Sequence, residues 1–351
     1  WSDRWEENWD NLPTIKESLS DGLLKALDTT PKVEKKLEIT NTQAYEYYLK
    51  GKYKYEKREN KEDTEIAREL IKRAIDLDEN LIAAKIMMGI TYFEIGDYDN
   101  AIGFYTSALK QAEGLGDKKG IANALNRLGI ITRIVDNPNK ALELYNRARK
   151  IREEIGDKAG IGGSLCNIGI IFHINGELDK ALQYFTRSLN IFEELGDRKS
   201  ISKQLNNIGL IHRDKYNYTK ALDFFTRSNK ITKEVGDNYG MGISLHNFAR
   251  IYLCMGDYDK ALDYYKNGLG ITQEIGDKVG IGDSFHSIGF VYYEIGNYDI
   301  ALEYFSQSLK IREELTNKDG IIRSLGNIGI VYRYIGNYKI AAQHLENASA
   351  V

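Results

Sequence analysis

An all-α fold, a solenoid of about eight helical hairpins wound as an α-α superhelix, is what this sequence predicts, and three observations carry the expectation. A small apolar residue returns at a fixed interval of forty, as Ala101, Ala141, Ala181, Ala221, Ala261, Ala301 and Ala341. An internal period of this length marks repeats that bury their apolar faces only against their neighbours. Three prolines in 351 residues leave little to interrupt helix, and the 32 glycines recur in register instead of gathering into linkers.

Residues 1–40 read as an amino-terminal arm. Trp1, Trp5 and Trp9 are all the tryptophans of the chain, and Ile15, Leu19, Leu23, Leu24 and Leu27 then mark a helix that starts behind Pro13 and ends at Thr29-Thr30-Pro31. Residues 41–351 read as the solenoid, with hairpins at roughly 42–80, 81–117, 118–157, 158–197, 198–237, 238–277, 278–317 and 318–351. The unit from Gly160 to Lys199 shows why. Leu165, Ile168 and Phe172, then Leu182, Phe185, Leu189 and Phe192, recur at three- and four-residue steps on either side of a break near Gly176, which gives two amphipathic helices.

Gly196 supplies a left-handed helix stop and Asp197 behind it caps the next helix. The pair returns as Gly116-Asp117, Gly156-Asp157, Gly236-Asp237 and Gly276-Asp277, and weakens to Thr316-Asn317. At the turn inside the hairpin, Asp136 and Tyr216 replace the usual glycine. Aspartate tolerates such a turn, whereas Tyr216 in left-handed geometry is strained or forces a different turn. A mid-helix glycine costs about 1 kcal/mol relative to alanine, so Gly89, Gly129, Gly169, Gly209, Gly289 and Gly329 need an offset. The expected offset is close helix approach over small residues such as Ala181 and Ser188, with Ala249, which breaks the series, pushing its hairpin slightly open.

These residues carry a resemblance. The pattern Met88-Gly89, Tyr92, Gly96-Asp97-Tyr98, Ala101, Tyr105, Ala108, and again Ile328-Gly329, Tyr332, Gly336-Asn337-Tyr338, Ala341, resembles the tetratricopeptide repeat over roughly residues 42–351. The period of forty exceeds the commoner interval of about thirty-four, and the extra residues are expected to lengthen the second helix. This longer variant is similar to the repeats of cell-polarity adaptors, kinesin light chains and bacterial peptide-sensing regulators, so the resemblance implies a partner that is a peptide or protein segment. The runs W-S-D-R-W at 1–5, T-I-K-E-S-L-S-D-G-L-L-K-A-L at 14–27 and A-Y-E-Y-Y-L-K-G-K-Y at 44–53 resemble the junction of a TolB-like domain with such repeats in prokaryotic signalling proteins. That resemblance implies an effector or sensor domain upstream. The alternative is that the tryptophans only cap the open end of the solenoid.

The formal charge is -3, from 48 basic and 51 acidic groups, so no field recruits nucleic acid. No run approaches the roughly 18 apolar residues of a membrane span. Cys166 and Cys254, the two cysteines, fall at helical positions, which excludes a disulfide scaffold and makes the cytoplasm the expected compartment. The chain opens at Trp1 without a methionine, so it is expected to start inside a longer protein.

At about 100° per residue, Leu165, Ile168, Gly169 and Phe172 face their own second helix and Ile171 faces the preceding hairpin. The remaining arc carries Gly163, Cys166, Ile170, His173 and Ile174, and the family resemblance implies that it lines a concave groove. Its middle position reads Ile130, Ile170, Leu210, Arg250, Phe290 and Ile330, and one turn on it reads Arg133, His173, Arg213, Leu253, Tyr293 and Arg333. Asn126, Lys203, Asn206, His246 and His286 share the arc. An apolar floor flanked by cations results, suited to a segment with apolar and acidic side chains. The bland alternatives are solvated helix faces for the arginines, ordinary inter-hairpin core for the isoleucines, and a groove filled by the Trp-rich arm. Relatives that clasp a terminal carboxylate place asparagine at the middle position, which this chain does not. Asn167, Asn207, Asn247 and Asn327 read instead as packing residues.

No glycine loop of phosphate-cradling form occurs, and His173, His212 and Cys254 lack companions at triad spacing. His246 and His286 occupy equivalent places on neighbouring hairpins, about 10 Å apart, whereas zinc needs donors near 2 Å from one centre. No metal, no cofactor and no enzymatic activity are therefore expected. The function expected is a non-catalytic scaffold that binds a protein or peptide, as the interaction region of a larger prokaryotic signalling protein. The alternatives are a sensor region controlling an attached cyclase or DNA-binding domain, and a module that self-associates through solenoid ends.

Overall fold

The computed structural model describes residues 41–58 and 61–350. The tryptophan arm and most of the TolB-like junction lie outside the described residues. Among those described there are sixteen α-helices and no strand. They form two compact units, divided between Asp157 and Lys158.

The first unit holds α1 (Thr42–Glu56), α2 (Lys61–Leu77), α3 (Ile82–Glu94), α4 (Tyr98–Leu115), α5 (Lys118–Val135) and α6 (Pro138–Glu154). The second holds α7 (Lys158–Ile174), α8 (Leu178–Leu195), α9 (Arg198–Asp214), α10 (Tyr218–Glu234), α11 (Asn238–Cys254), α12 (Tyr258–Glu274), α13 (Lys278–Ile295), α14 (Tyr298–Glu314), α15 (Lys318–Ile335) and α16 (Tyr338–Ala350). In each unit odd and even helices pair as hairpins. From α5 to α14 both members of a hairpin run 17 or 18 residues, so the added length of the repeat is not confined to the second helix.

The turns follow the local chemistry. Gly196 sits at φ 67°, left-handed, while Gly196 N–H donates to Glu193 O and Asp197 N–H to Phe192 O at 3.0 Å, closing the end of α8. The Asp197 carboxylate then accepts from Ser200 N at 3.1 Å and caps α9, as Asp237 and Asp277 do from Gly240 and Gly280 at 3.0 Å. Asn317 serves α15 in the same way at 2.9 Å. Tyr216 and Thr316 take the left-handed geometry themselves, at φ 57° and 53°, so Tyr216 keeps the turn and bears the strain. Asp136 does not. It lies at φ -127°, ψ -92°, and Asn137 with Pro138 opens α6 instead.

Gly89, Gly129, Gly169, Gly209 and Gly289 are offset by aromatic rings, which corrects the expectation of small residues opposite them, and Gly329 by the Leu345 side chain. A Cβ on Gly209 would stand 2.5 Å from Phe225 Cε1, and one on Gly169 2.7 Å from Phe185 Cε1. Gly89 and Gly129 have the same relation to the rings of Tyr105 and Tyr145. The ring sixteen residues on packs flat into the gap that the absent side chain leaves, and Phe225 and Phe185 are fully buried there. Burial of such a ring contributes about 2–3 kcal/mol, more than the helix-propensity loss of about 1 kcal/mol. Ser188, Ser228 and Ser308 have a different task, each donating its Oγ proton at 2.8 Å to a carbonyl of the first helix, on Gly162, Ser202 and Gly282. Ala249 does not open its hairpin: it is 0% exposed and Tyr265 opposite only 2%. Gly268 stands there in place of the serine.

Candidate ligand-binding site

In the second unit the candidate residues fall on the first helices of successive hairpins, α7, α9, α11, α13 and α15. The structure divides them into three kinds. Ile170 packs against the buried cluster that includes Leu205 and Ile208 of the next hairpin. Leu210, Leu253 and Tyr293 do the same against clusters holding Phe248, Ile288 and Ile328 respectively. All four are half-buried, with one side against the inter-hairpin core, and Leu253 also lines the cavity between α11, α13 and α15.

The second kind forms polar links between hairpins. Asn247 Nδ2 donates to Asn206 Oδ1 at 2.8 Å, Asn327 Nδ2 lies 3.4 Å from His286 Nε2, and Asn207 Nδ2 lies 3.5 Å from Cys166 Sγ. Asn206 and Cys166 therefore look toward the following hairpin rather than into an open groove, and His286 turns its Nε2 the same way while its ring also lines a cavity. Cys166 is buried, and burial pushes its thiol up. Three of the asparagines expected to pack, Asn207, Asn247 and Asn327, have their amides engaged in this way.

At α7 and α9 the basic side chains are already answered. His173 Nε2 lies 2.6 Å from Asp214 Oδ2, and Arg213 Nε donates to Asp214 Oδ1 at 2.8 Å. Burial alone would raise the Asp214 carboxyl, but the hydrogen bonds from His173 and Arg213 hold it below the usual range. The expected row of cations is thus neutralised at this point, because an acid occupies the place that Ile174 holds in the preceding hairpin.

The third kind remains open. A cavity of about 430 Å³ is lined by His246, Arg250 and Leu253 of α11, Tyr265 of α12, Asp283, His286, Ser287 and Phe290 of α13, and Arg323 of α15. Phe290 is 37% exposed, an apolar wall presented to solvent. Arg250 and Arg323 make no ion pair with any described residue, whereas Asp283 is engaged by Arg312 Nη2 at 2.8 Å. Burial, then the Arg213 guanidinium, lowers the Arg250 pKa. Burial also pushes His246 down to about 4, helped by Arg250 and Arg213. His286 is likewise pushed down to about 4 by burial, then by Arg312 and Arg323. Tyr265, buried against the His246 ring at 4.9 Å between centroids, is pushed up to about 12. The cavity therefore holds two neutral imidazoles and two uncompensated guanidiniums beside apolar walls. A second, smaller cavity of about 220 Å³ shares His246 and Asp283 and opens between Tyr239, Ile243 and Val279.

Asn126, Ile130 and Arg133 lie half-buried on α5 of the first unit. Lys203 and Arg333 are exposed on α9 and α15, outside the larger cavity. Asp283 and Arg323 were missed among the candidates although the signal was present, for they hold in their hairpins the place of Lys203. Tyr265 comes from a second helix and carries no sequence signal for this face. Among the described residues no group of three His, Cys, Asp or Glu could hold a metal ion, and no helix is long and apolar enough to cross a membrane.

No curated protein sequence matches the chain. Solved structures share its fold. A Rap protein complexed with competence and sporulation factor is 16% identical, covers 95% of this chain and 92% of its own, and superposes with a TM-score of 0.68. Aspartyl phosphate phosphatase F from Bacillus subtilis is 16% identical, with 95% and 88% covered and a TM-score of 0.62. A signal transduction ATPase with numerous domains from Pyrococcus horikoshii, with a tetratricopeptide repeat sensor, is 18% identical at a TM-score of 0.60; the match takes in 90% of this chain but 53% of that one. The sequence pattern of the tetratricopeptide repeat matches residues 80–154, 120–194, 200–274 and 281–351. With that pattern running through most of its length and helical hairpins wherever it is described, the chain belongs to the tetratricopeptide repeat family.

Proposed function

We propose that the chain is a non-catalytic scaffold that holds a protein or peptide segment against the first helices of its second unit. The observation that carries this reading is the cavity between α11, α13 and α15, where Arg250 and Arg323 stand without acidic partners next to exposed Phe290. Two cations that share a cavity without counterions repel one another, and a bound acidic side chain would relieve that repulsion while Phe290 and Leu253 take its apolar neighbour. The segment is therefore one that carries apolar and acidic side chains. A Rap protein of the same fold was solved with competence and sporulation factor, which supports a peptide or protein as the class of partner. The ATPase that bears a repeat sensor supports a second, compatible reading, in which this chain is the interaction region of a larger prokaryotic signalling protein.

An array of peptides spanning acidic-apolar sequences, probed with the full chain, tests the reading. Binders are expected whose signal falls at least tenfold with Arg250→Glu and with Arg323→Glu, both on exposed side chains whose loss spares the core. Binding that is indifferent to both variants places the partner elsewhere.

A further inference from the structure

Two histidines in the cavity wall have no task in holding a peptide. His246 on α11 and His286 on α13 line the same space as the unpaired Arg250 and Arg323. His286 Nε2 faces the Asn327 amide, so with Nε2 as acceptor the ring proton sits on Nδ1, which is buried and has no hydrogen-bond partner. His246 has the Tyr265 ring against its face and the Arg250 and Arg213 guanidiniums nearby. Around His286 stand the Phe305 ring from α14, Arg312 from the same helix, and Arg323 from α15. One carboxylate, Asp283, lines the cavity, and Arg312 already holds it. Burial first, and then these guanidiniums, keeps both imidazoles neutral while the cavity is empty, with Asp214 of α9 acting on Arg250 and already paired with Arg213.

Resting on the proposed binding of an acidic segment, we propose that this cavity is an anion subsite that receives the carboxylate of a ligand side chain, and that its occupation draws protons onto His246 and His286. A carboxylate among Arg250, Arg323 and the two rings reverses the sign of the field they feel, so the charged imidazoles become favourable only with the ligand in place. By linkage, any group whose proton affinity rises on binding makes binding tighten as protons become more available. Starting near 4, each ring has a large range through which to rise. Shifts of about two units in both would tighten binding on the order of tenfold between pH 7.5 and pH 5.5. The ligand carboxylate, with an ordinary value near 4, stays ionised over that interval.

Imidazole 15N resonances of the full chain read this directly, since the chain has only five histidines. The probes are N-acetyl-glutamate N-methylamide, its glutamine counterpart and inorganic sulfate, each titrated at pH 5.5 and 7.5. The glutamate compound is expected to move the His246 and His286 signals toward the protonated form, to bind about tenfold more tightly at the lower pH, and to lose this response in Arg323→Gln, a variant of an exposed side chain. The glutamine compound is expected to leave the rings unchanged. Rings that ignore the glutamate compound, or respond equally to both, overturn the proposal, as does an affinity independent of pH. Sulfate binding without glutamate binding overturns the carboxylate assignment in favour of a free inorganic anion. Because no peptide is needed, a positive titration beside an empty peptide array would sink only the scaffold reading. Array binders that depend on Arg250 beside silent rings would sink only this one.

Discussion

At the scale of single residues, the glycines show how a sequence rule can be right in position and wrong in cause. Gly209 is costly as a helix former, yet a Cβ there would meet Phe225 Cε1 at 2.5 Å. Helix propensity alone predicts that Gly209→Ala stabilises the chain by about 1 kcal/mol. Overpacking against a fully buried ring costs about 1–3 kcal/mol, so the net expectation is a loss, read as a lower thermal midpoint. A parallel Gly209→Ala, Phe225→Leu variant recovers part of it. Tyr216 is the opposite case. Its φ of 57° and 81% exposure mean that a glycine there relieves strain without removing packing, so Tyr216→Gly is expected to stabilise by about 1 kcal/mol in chemical denaturation. An unchanged or lower midpoint would show that its ring contact with Tyr218 outweighs the strain.

At the scale of the helix pair, three devices recur: a capping carboxylate or amide, a serine bridging to the partner helix, and a surface clasp from the start of the first helix to the end of the second. The clasps are Lys158 to Glu194 at 3.2 Å, Lys278 to Glu314 at 3.1 Å, and Arg198 to Glu234. Exposed as they are, each contributes about 0–1 kcal/mol and fixes register more than stability. The buried serines matter more. Ser228→Ala removes a hydrogen bond to Ser202 O inside the hairpin and is expected to cost about 1 kcal/mol, with Ser228→Gly costing more because a helix-interior glycine is added. If both variants melt with the parent, the bridge carries no stability. The α11–α12 hairpin already lives without it, since Gly268 occupies that place, and the same hairpin opens onto the candidate cavity. The capping signals, by contrast, were readable one residue at a time, because a cap needs only the Asp and the backbone three residues on.

At the scale of the whole molecule, all five histidines belong to the second unit, so acid sensitivity is expected there. His246 and His286 bind protons more weakly folded, near 4, than unfolded, near 6.5. The unfolded chain therefore takes up more protons between those values, and stability is full above about pH 6.5 and falls as pH drops toward 4. Each ring accounts for at most about 3 kcal/mol of that fall. Asp214, held below its ordinary range, adds a further loss at lower pH, as it is protonated. Hydrogen exchange at pH 5 against pH 7.5 is expected to show protection lost in 158–350 and retained in 41–157. Equal loss in both would place the sensitivity elsewhere. In a repeat chain, where stability is a sum of units and nearest-neighbour contacts, such regional melting is the natural response.

The sequence by itself determined the helical hairpin, its period, its stops and caps, and the strip of first-helix residues from which any ligand face must be drawn. Those are local properties, written in spacing of three, four and forty and in the chemistry of Gly-Asp at a turn. Only the tertiary structure decided which members of that strip stay open. Ile170 and Leu210 are half-buried because the next hairpin packs against one side of them, and Arg213 is paired because Asp214 lies within reach of both it and His173. Arg250 and Arg323 were left unpaired because the one carboxylate beside them had gone to Arg312. Spacing along a helix fixes direction, but whether a side chain meets a neighbour or solvent depends on residues forty positions away, and that is settled only when the hairpins pack.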